Sequence, residues 1–321
     1  MSITDSEILN RTFAEDVFNG LSHSPKQLSS KYFYDADGDR LFQEIMRMPE
    51  YYLTDAEFEI LSTYKDDFLS ILNSQAFDLI ELGAGDGLKT KILLTHFLEQ
   101  GADFSYRPID ISGHALSSLQ ESLSQELPEL NVKGQQGDYF KALEQMYVDG
   151  NRAKFLLFMG ANIGNFSKAE ARQFLKTLRN EMKKDDYLLI GFDLKKDPQT
   201  ILDAYNDPTG ITSAFNLNLL KRMNRELGAN FKLDNFQHWE NYDPITGETK
   251  SFIVSKTEQE VYLEVLEKSF SFDAWEAIYV ELSQKYSEAE IAQIAKESGF
   301  KVDRNFYDQK NYFADSLWQA I

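Results

Sequence analysis

The sequence predicts an α/β protein whose parallel sheet is covered by helices on both faces and interrupted by an inserted domain. Three observations predict it. Short apolar runs at 77–82, 106–111, 155–159 and 187–192 alternate with amphipathic stretches such as 91–99 and 115–125. Strands that alternate with helices at this spacing build parallel sheets. The rhythm then breaks after Asp193, giving way to turn, helix and strand-like pieces as far as residue 286, and it resumes at Ser287.

Taken in order, residues 1–60 read as helices and loops, densest in the aromatic runs Lys31-Tyr32-Phe33-Tyr34-Asp35 and Pro49-Glu50-Tyr51-Tyr52. Ser167-Lys168-Ala169-Glu170 has the spacing of a capping box and starts the helix after the fourth strand. The interrupting segment carries a turn at Asn206-Asp207-Pro208, a helix over 219–227, and a hairpin loop at Asp243-Pro244-Ile245-Thr246-Gly247. A second capping box, Ser287 to Glu290, opens a helix that Gly299 closes. Residues 301–307 and 312–319 then form a closing hairpin. The expected division is a helical segment at 1–60, an α/β domain of 61–196 with 287–321, and an insert at 197–286.

Composition narrows the function. A chain of 321 residues suits one large domain or two modest ones. Against 52 Asp and Glu stand 33 Lys and Arg, a net charge of −19, which disfavours nucleic acid and anionic membranes as partners. Cysteine is absent, which excludes disulfides, thiolate zinc sites and a cysteine nucleophile, and the four histidines show no metal-ligand spacing. No signal peptide or run of about 18 apolar residues is visible, so a cytoplasmic location is expected. The sequence leaves the oligomeric state open, a monomer included.

The chemistry is carried by Asp78-Leu79-Ile80-Glu81-Leu82-Gly83-Ala84-Gly85-Asp86-Gly87, a buried strand entering a glycine loop before a helix. Glycines let the backbone turn tightly and approach a ligand where a Cβ would clash. The G-x-G-x-G spacing departs from the G-x-G-x-x-G of dinucleotide sites, which disfavours an oxidoreductase. Asp110 ends the second strand, where a ribose diol is hydrogen-bonded, and Asp138 ends the third, beside an adenine. That succession is the S-adenosylmethionine pattern of Rossmann-like methyltransferases.

With these residues in place, the chain resembles the histidine-specific, ergothioneine-pathway α-N-methyltransferases over nearly its full length. The resemblance rests on Lys31 to Asp35, Pro49 to Thr54, Glu81 to Gly85, Ile163 to Phe166, and Asp193-Leu194-Lys195-Lys196-Asp197. It continues through Asp203 to Asp207, Phe215 to Asn218, Asn224 to Leu227 and Val280 to Tyr286. It implies a class I methyltransferase domain with an N-terminal helical segment and an inserted α+β substrate-binding domain. The implied cofactor set is Gly83, Lys89, Asp110, Asp138 and Tyr139. Tyr51 lies near substrate and cofactor, Asn165 and Tyr205 resemble the pair that holds the amino-acid carboxylate, and Tyr34 resembles the tyrosine near the amine. Glu281 and Ser283 resemble the imidazole-recognition pair. The expected partner is a small-molecule amino-acid substrate. The residue types suit these tasks: an amide and a phenol donate to a carboxylate, while a carboxylate accepts from a ring N–H.

Two positions depart from the family pattern. Asn162 stands where relatives commonly have threonine. Ser251 falls where histidine-specific members carry a methionine against the substrate, and it is expected to admit water beside the ring. His114 matches no family role and is expected to be structural. The nearest rival is the same chemistry on another amino acid such as tryptophan, against which Glu281 argues, since an indole satisfies a buried carboxylate poorly. A cofactor-binding protein without turnover is the rival from another class, and it has no use for Asn165, Tyr205, Glu281 and Ser283.

Overall fold

A computed structural model of the chain describes residues 5–72, 75–110, 113–137, 139–140, 142 and 152–321, without the side chains of 5–10 and 114. In chain order it begins with α1 (Asp5–Ser22), α2 (Ala36–Ile45), α3 (Tyr52–Ser70), β1 (Phe77–Leu82), α4 (Thr90–Glu99) and β2 (Phe104–Asp110). Next come α5 (Gly113–Glu126), β3 (Gln135–Gln136), β4 (Ala153–Phe158), α6 (Lys168–Glu181), β5 (Tyr187–Asp193), α7 (Pro198–Tyr205) and α8 (Ile211–Leu227). It continues with β6 (Phe236–Asp243), β7 (Glu248–Ser255), β8 (Gln259–Leu263), β9 (Lys268–Phe272) and β10 (Ala277–Gln284). It closes with α9 (Glu288–Glu297), β11 (Phe300–Tyr307) and β12 (Phe313–Ala320).

Two compact units result, one of Met1–Tyr52 with Lys196–Ser283, the other of Leu53–Lys195 with Gln284–Ile321. The expected cuts at 60/61, 196/197 and 286/287 therefore move to 52/53, 195/196 and 283/284. The first moves most, because α3 runs through residue 60 with Leu53, Ile60, Leu61 and Phe68 all buried.

The second unit holds a seven-stranded sheet in the order β11-β12-β5-β4-β1-β2-β3. Strands β1 to β5 pair in parallel, and β12 runs antiparallel to both of its neighbours. All six residues of β1 are buried, as a strand covered on both faces requires. Its two acids are satisfied internally: Asp78 pairs with the Lys154 ammonium at 2.5 Å, and Glu81 accepts from Thr90 and Tyr106. Phe174 and Leu178 of α6, with Ile291 and Ile294 of α9, share one core with Ile80, Leu156, Ile190 and Trp318. Both capping boxes are formed, at Ser167 with Glu170 and at Ser287 with Glu290.

Where the chain leaves and re-enters this unit, Leu194 and Tyr286 form a parallel bridge. The Tyr286 N–H donates to the Asp193 carbonyl and the Lys195 N–H to the Tyr286 carbonyl, each at 2.9 Å. Beside them the fully buried Lys285 ammonium and Asp193 carboxylate pair at 2.7 Å.

The first unit contains a three-stranded sheet, β10-β7-β6, and a β8-β9 hairpin. Its core joins Phe13 and Val17 of α1 and Leu219 and Met223 of α8 to Phe236, Ile253, Val261 and Ile278. The β6–β7 loop is the expected tight turn, with the Gly247 N–H donating to the Asp243 carbonyl at 2.7 Å. Among the described residues, no helix is long and apolar enough to cross a membrane.

Candidate active site

In the second unit the loops at the carboxyl ends of β1, β2 and β4 converge, which is where open α/β sheets bind ligands. Gly83, directly after β1, has a φ of +77°, and its N–H donates to the Ile109 carbonyl at 2.8 Å. A Cβ built on Gly83 would stand 2.9 Å from the Tyr139 hydroxyl and 3.3 Å from the Asn162 amide nitrogen. The loop therefore closes against Tyr139 and Asn162 only because residue 83 has no side chain. Two residues on, the Gly85 N–H donates to the Asp110 carboxylate at 3.1 Å, tying loop to strand end. No atom lies within 4 Å of a Cβ built on Gly85, so its missing side chain leaves open space beside Asp110. A glycine turn open at the exposed Gly85, next to a carboxylate suited to a ribose diol, fits S-adenosylmethionine. Asp138 lies outside the described residues. Asn165 is exposed and ends the short 3-10 turn Asn162–Asn165 that follows β4.

Lys89, which precedes α4, turns its ammonium onto Glu57 of α3, a fully buried carboxylate that also accepts the Gly160 N–H at 2.8 and 3.0 Å. Burial works against the Lys89 charge, but the charge and hydrogen bond of Glu57 outweigh it and hold the ammonium above the usual lysine range. Nearby, burial pushes the Glu81 carboxyl up to about 7, despite the lowering influence of Thr90, Tyr106 and Lys89. The folded state thus holds this proton more tightly than the unfolded chain, where Glu81 has its ordinary value of 4.5. That contribution to stability is fully present below pH 4.5 and is lost as pH rises through about 7. Glu81→Gln is expected to gain on the wild type across this window by roughly 3 kcal/mol at its upper end. Urea melts of both proteins at pH 5 and pH 8 measure the difference, and equal slopes with pH would refute it.

The first unit gathers the other candidates. Asp35 caps α2 by accepting the Gly38 N–H at 2.8 Å, and it receives Asn218 at 2.8 Å and Arg225 at 2.5 Å from α8. Arg222 donates to the Tyr32 carbonyl at 3.1 Å. The segments Phe215 to Asn218 and Asn224 to Leu227 thus fasten the loop that carries Tyr34. From Tyr34 an aromatic series runs through Phe42 at 5.7 Å to Tyr51 at 6.4 Å and Tyr205 at 6.2 Å, measured between successive ring centroids. The Tyr205 and Ser283 hydroxyls share a hydrogen bond of 2.8 Å. Tyr34 as a residue is 42% exposed, but desolvation around its phenol first, then the charge of Glu281, holds that hydroxyl above its ordinary value. Tyr34 therefore stays protonated at neutral pH, where it hydrogen-bonds and does not serve as a base. Tyr34, Tyr51, Tyr205, Glu281 and Ser283 belong to this one unit, whereas Asn165 belongs to the other.

Ser251 corrects an expectation. It is 2% exposed, and its hydroxyl donates to Glu240 at 2.6 Å, its cross-strand partner in β6. The buried His238 ring stands 3.4 Å from the same carboxylate. Its neighbour Phe252 packs on Tyr279, at 5.8 Å between ring centroids. Side chains alternate along a strand, so Phe252 shares a face with Tyr279 and Glu281, and Ser251 takes the opposite face. Ser251 is therefore no water gate beside Glu281. Sequence reasoning also assigned no site role to Asn162 and Glu57, both drawn into the loops around Gly83 and Gly160.

A glycine turn closed on Tyr139, an acid at the end of β2 and a sheet with one reversed strand near its edge define the class: a Rossmann-like, S-adenosylmethionine-dependent methyltransferase. The fold is shared with the solved structure of the mitomycin 7-O-methyltransferase MmcR, at a TM-score of 0.50 and 12% identity, over 99% of this chain and 69% of that one. The profile of the family "histidine-specific methyltransferase, SAM-dependent" matches residues 13–320, and the chain belongs to that family. It is 33% identical to the histidine N-alpha-methyltransferase of Mycobacterium tuberculosis over 94% of this chain and 93% of that protein. It is 32% identical to the ergothioneine biosynthesis protein 1 of Schizosaccharomyces pombe, over 86% of this chain and 36% of that longer protein.

Proposed function

We propose that the protein methylates the α-amine of L-histidine three times, giving the trimethylated betaine hercynine. The observation that supports this reading best is the cluster of Glu281 with Tyr34, Tyr51, Tyr205 and Ser283, in a chain of a histidine-specific family. S-adenosylmethionine supplies an electrophilic methyl group on a sulfonium. Gly83, Lys89, Asp110, Asp138 and Tyr139 hold it, and the remaining work is positioning.

Asn165 and Tyr205 donate hydrogen bonds to the substrate carboxylate. The Tyr34 phenol orients the amine. Glu281 accepts the imidazole N–H, and Ser283 donates to the other ring nitrogen. The amine must be neutral to react, and its ammonium proton needs only a modest acceptor or water, so no strong base is required. Because Tyr205 and Ser283 are already bonded to each other, substrate binding must share or replace that bond at both ends of the amino acid. The substrate is a free small molecule, and the reaction takes place in the cytoplasm.

The test is incubation with S-adenosylmethionine and each of the twenty amino acids, read by mass. Mono-, di- and trimethyl histidine are expected in succession, with methyl on the α-amine. Methyl on a ring nitrogen, or tryptophan as the preferred substrate, would overturn the reading.

A further inference from the structure

Among the described residues, Glu57 is a strongly engaged buried acid beside the candidate site to which neither the sequence motifs nor the proposed mechanism assigns a task. It sits on α3, is fully buried, and accepts both the Lys89 ammonium and, through both oxygens, the Gly160 N–H. The sheet makes room for it: a Cβ at Gly191 of β5 would stand 2.4 Å from its Oε1. Opposite Gly191 in the β12 register lies Asp315, also fully buried, whose two oxygens receive no hydrogen bond among the described residues. A buried carboxylate left so would be costly, whereas a protonated carboxyl can donate to Glu57. Burial and the Glu57 charge both push Asp315 well above the usual carboxylate range, in keeping with that form.

We propose that Glu57 is a positioning residue of the methyltransferase site: one buried carboxylate fixes Lys89 and the Gly160 turn together. Lys89 follows the glycine loop, and Gly160 opens the turn that carries Asn162 and Asn165. A single buried anion thus sets the geometry on the cofactor side and on the side that meets the substrate carboxylate. This assignment rests on the functional reading for what Lys89 and Asn165 touch, but the anchoring itself does not.

The test uses Glu57→Gln, which keeps the shape and removes the charge. In ligand-free protein labelled with nitrogen-15 lysine, the Lys89 ammonium resonance, identified by its loss in Lys89→Met, is expected to disappear. The dissociation constant for S-adenosylhomocysteine, by calorimetry, should rise about tenfold, and KM for histidine about fivefold, with a smaller change in kcat. Lys89→Met should move the first constant and not the second. Asp315→Asn replaces one donor to Glu57 with another, so its losses should stay near threefold, below those of Glu57→Gln.

An unchanged Lys89 resonance in Glu57→Gln, or unchanged constants, overturns the proposal. So does a loss in Asp315→Asn that abolishes the resonance, and this arm decides the matter where Glu57→Gln does not fold. A lost resonance in a protein that does not methylate histidine retains the anchoring and rejects the functional reading instead.

Discussion

Glu281→Ala is expected to lower kcat/KM for L-histidine by about 10- to 100-fold, equivalent to about 1.4 to 2.8 kcal/mol of transition-state binding. A site built to accept a ring N–H loses that partner and also the discrimination it provides. Where the polar group is fully enclosed, such discrimination reaches roughly 10⁴-fold. The smaller figure follows from the position of Glu281, which is only half-buried on β10, so water can satisfy part of what the imidazole leaves. The variant should bind S-adenosylhomocysteine as the wild type does, since Glu281 belongs to the first unit and the glycine loop to the second. It should also accept flat apolar side chains such as tryptophan more readily. Steady-state kinetics on both amino acids, with calorimetry for the cofactor product, measures all three effects. Full histidine activity with unchanged preference would reduce Glu281 to a surface carboxylate.

Gly83→Ala should weaken S-adenosylhomocysteine binding by about 10- to 100-fold, through strain and displacement acting together. At φ +77° an alanine is strained by roughly 1–2 kcal/mol. Its Cβ would also meet the Tyr139 hydroxyl at 2.9 Å and push that ring and Asn162 away from the loop. The control is Gly101→Ala, where φ is +68° and no atom lies within 4 Å of the added carbon. Both variants should lose comparable stability in denaturant melts, and only Gly83→Ala should lose affinity. Equal affinities in the two variants would show that the turn after β1 does not contact the ligand.

What the sequence disclosed follows from how each feature is encoded. Strands β1, β4 and β5 are buried on both faces and so read as mainly apolar runs, interrupted only by Asp78 and Glu81 in β1 and Lys154 in β4, with Asp193 closing β5. Both capping boxes are local, needing only four residues to be recognised. Asp110 was visible because a polar residue closing an apolar strand marks its end. Glu57 was not visible, because Asp55, Glu57 and Glu59 present three acids at alternate positions of one helix. Only the rotation of α3 about its axis decides that Glu57 is buried. The face of Ser251 was misread for the related reason that a shift of one residue in a strand exchanges its faces, and the sequence does not state the phase. Strand β3 has two residues, too few to carry any pattern.

The bridge between Leu194 and Tyr286 has a consequence for evolution and engineering. A chain that departs from a sheet and returns to it through hydrogen-bonded neighbours leaves the two severed ends side by side. Whatever is spliced between those ends need only begin and finish close together, and the sheet keeps its own register regardless of the contents. The buried Lys285–Asp193 pair then acts as a fixed socket, because both of its members lie on the sheet's side of the cuts. Residues 196–283 accordingly form a cassette. A relative's version, joined after Lys195 and before Gln284 along with its matching N-terminal segment, is a natural means of exchanging amino-acid preference while retaining one methyl-transfer machine.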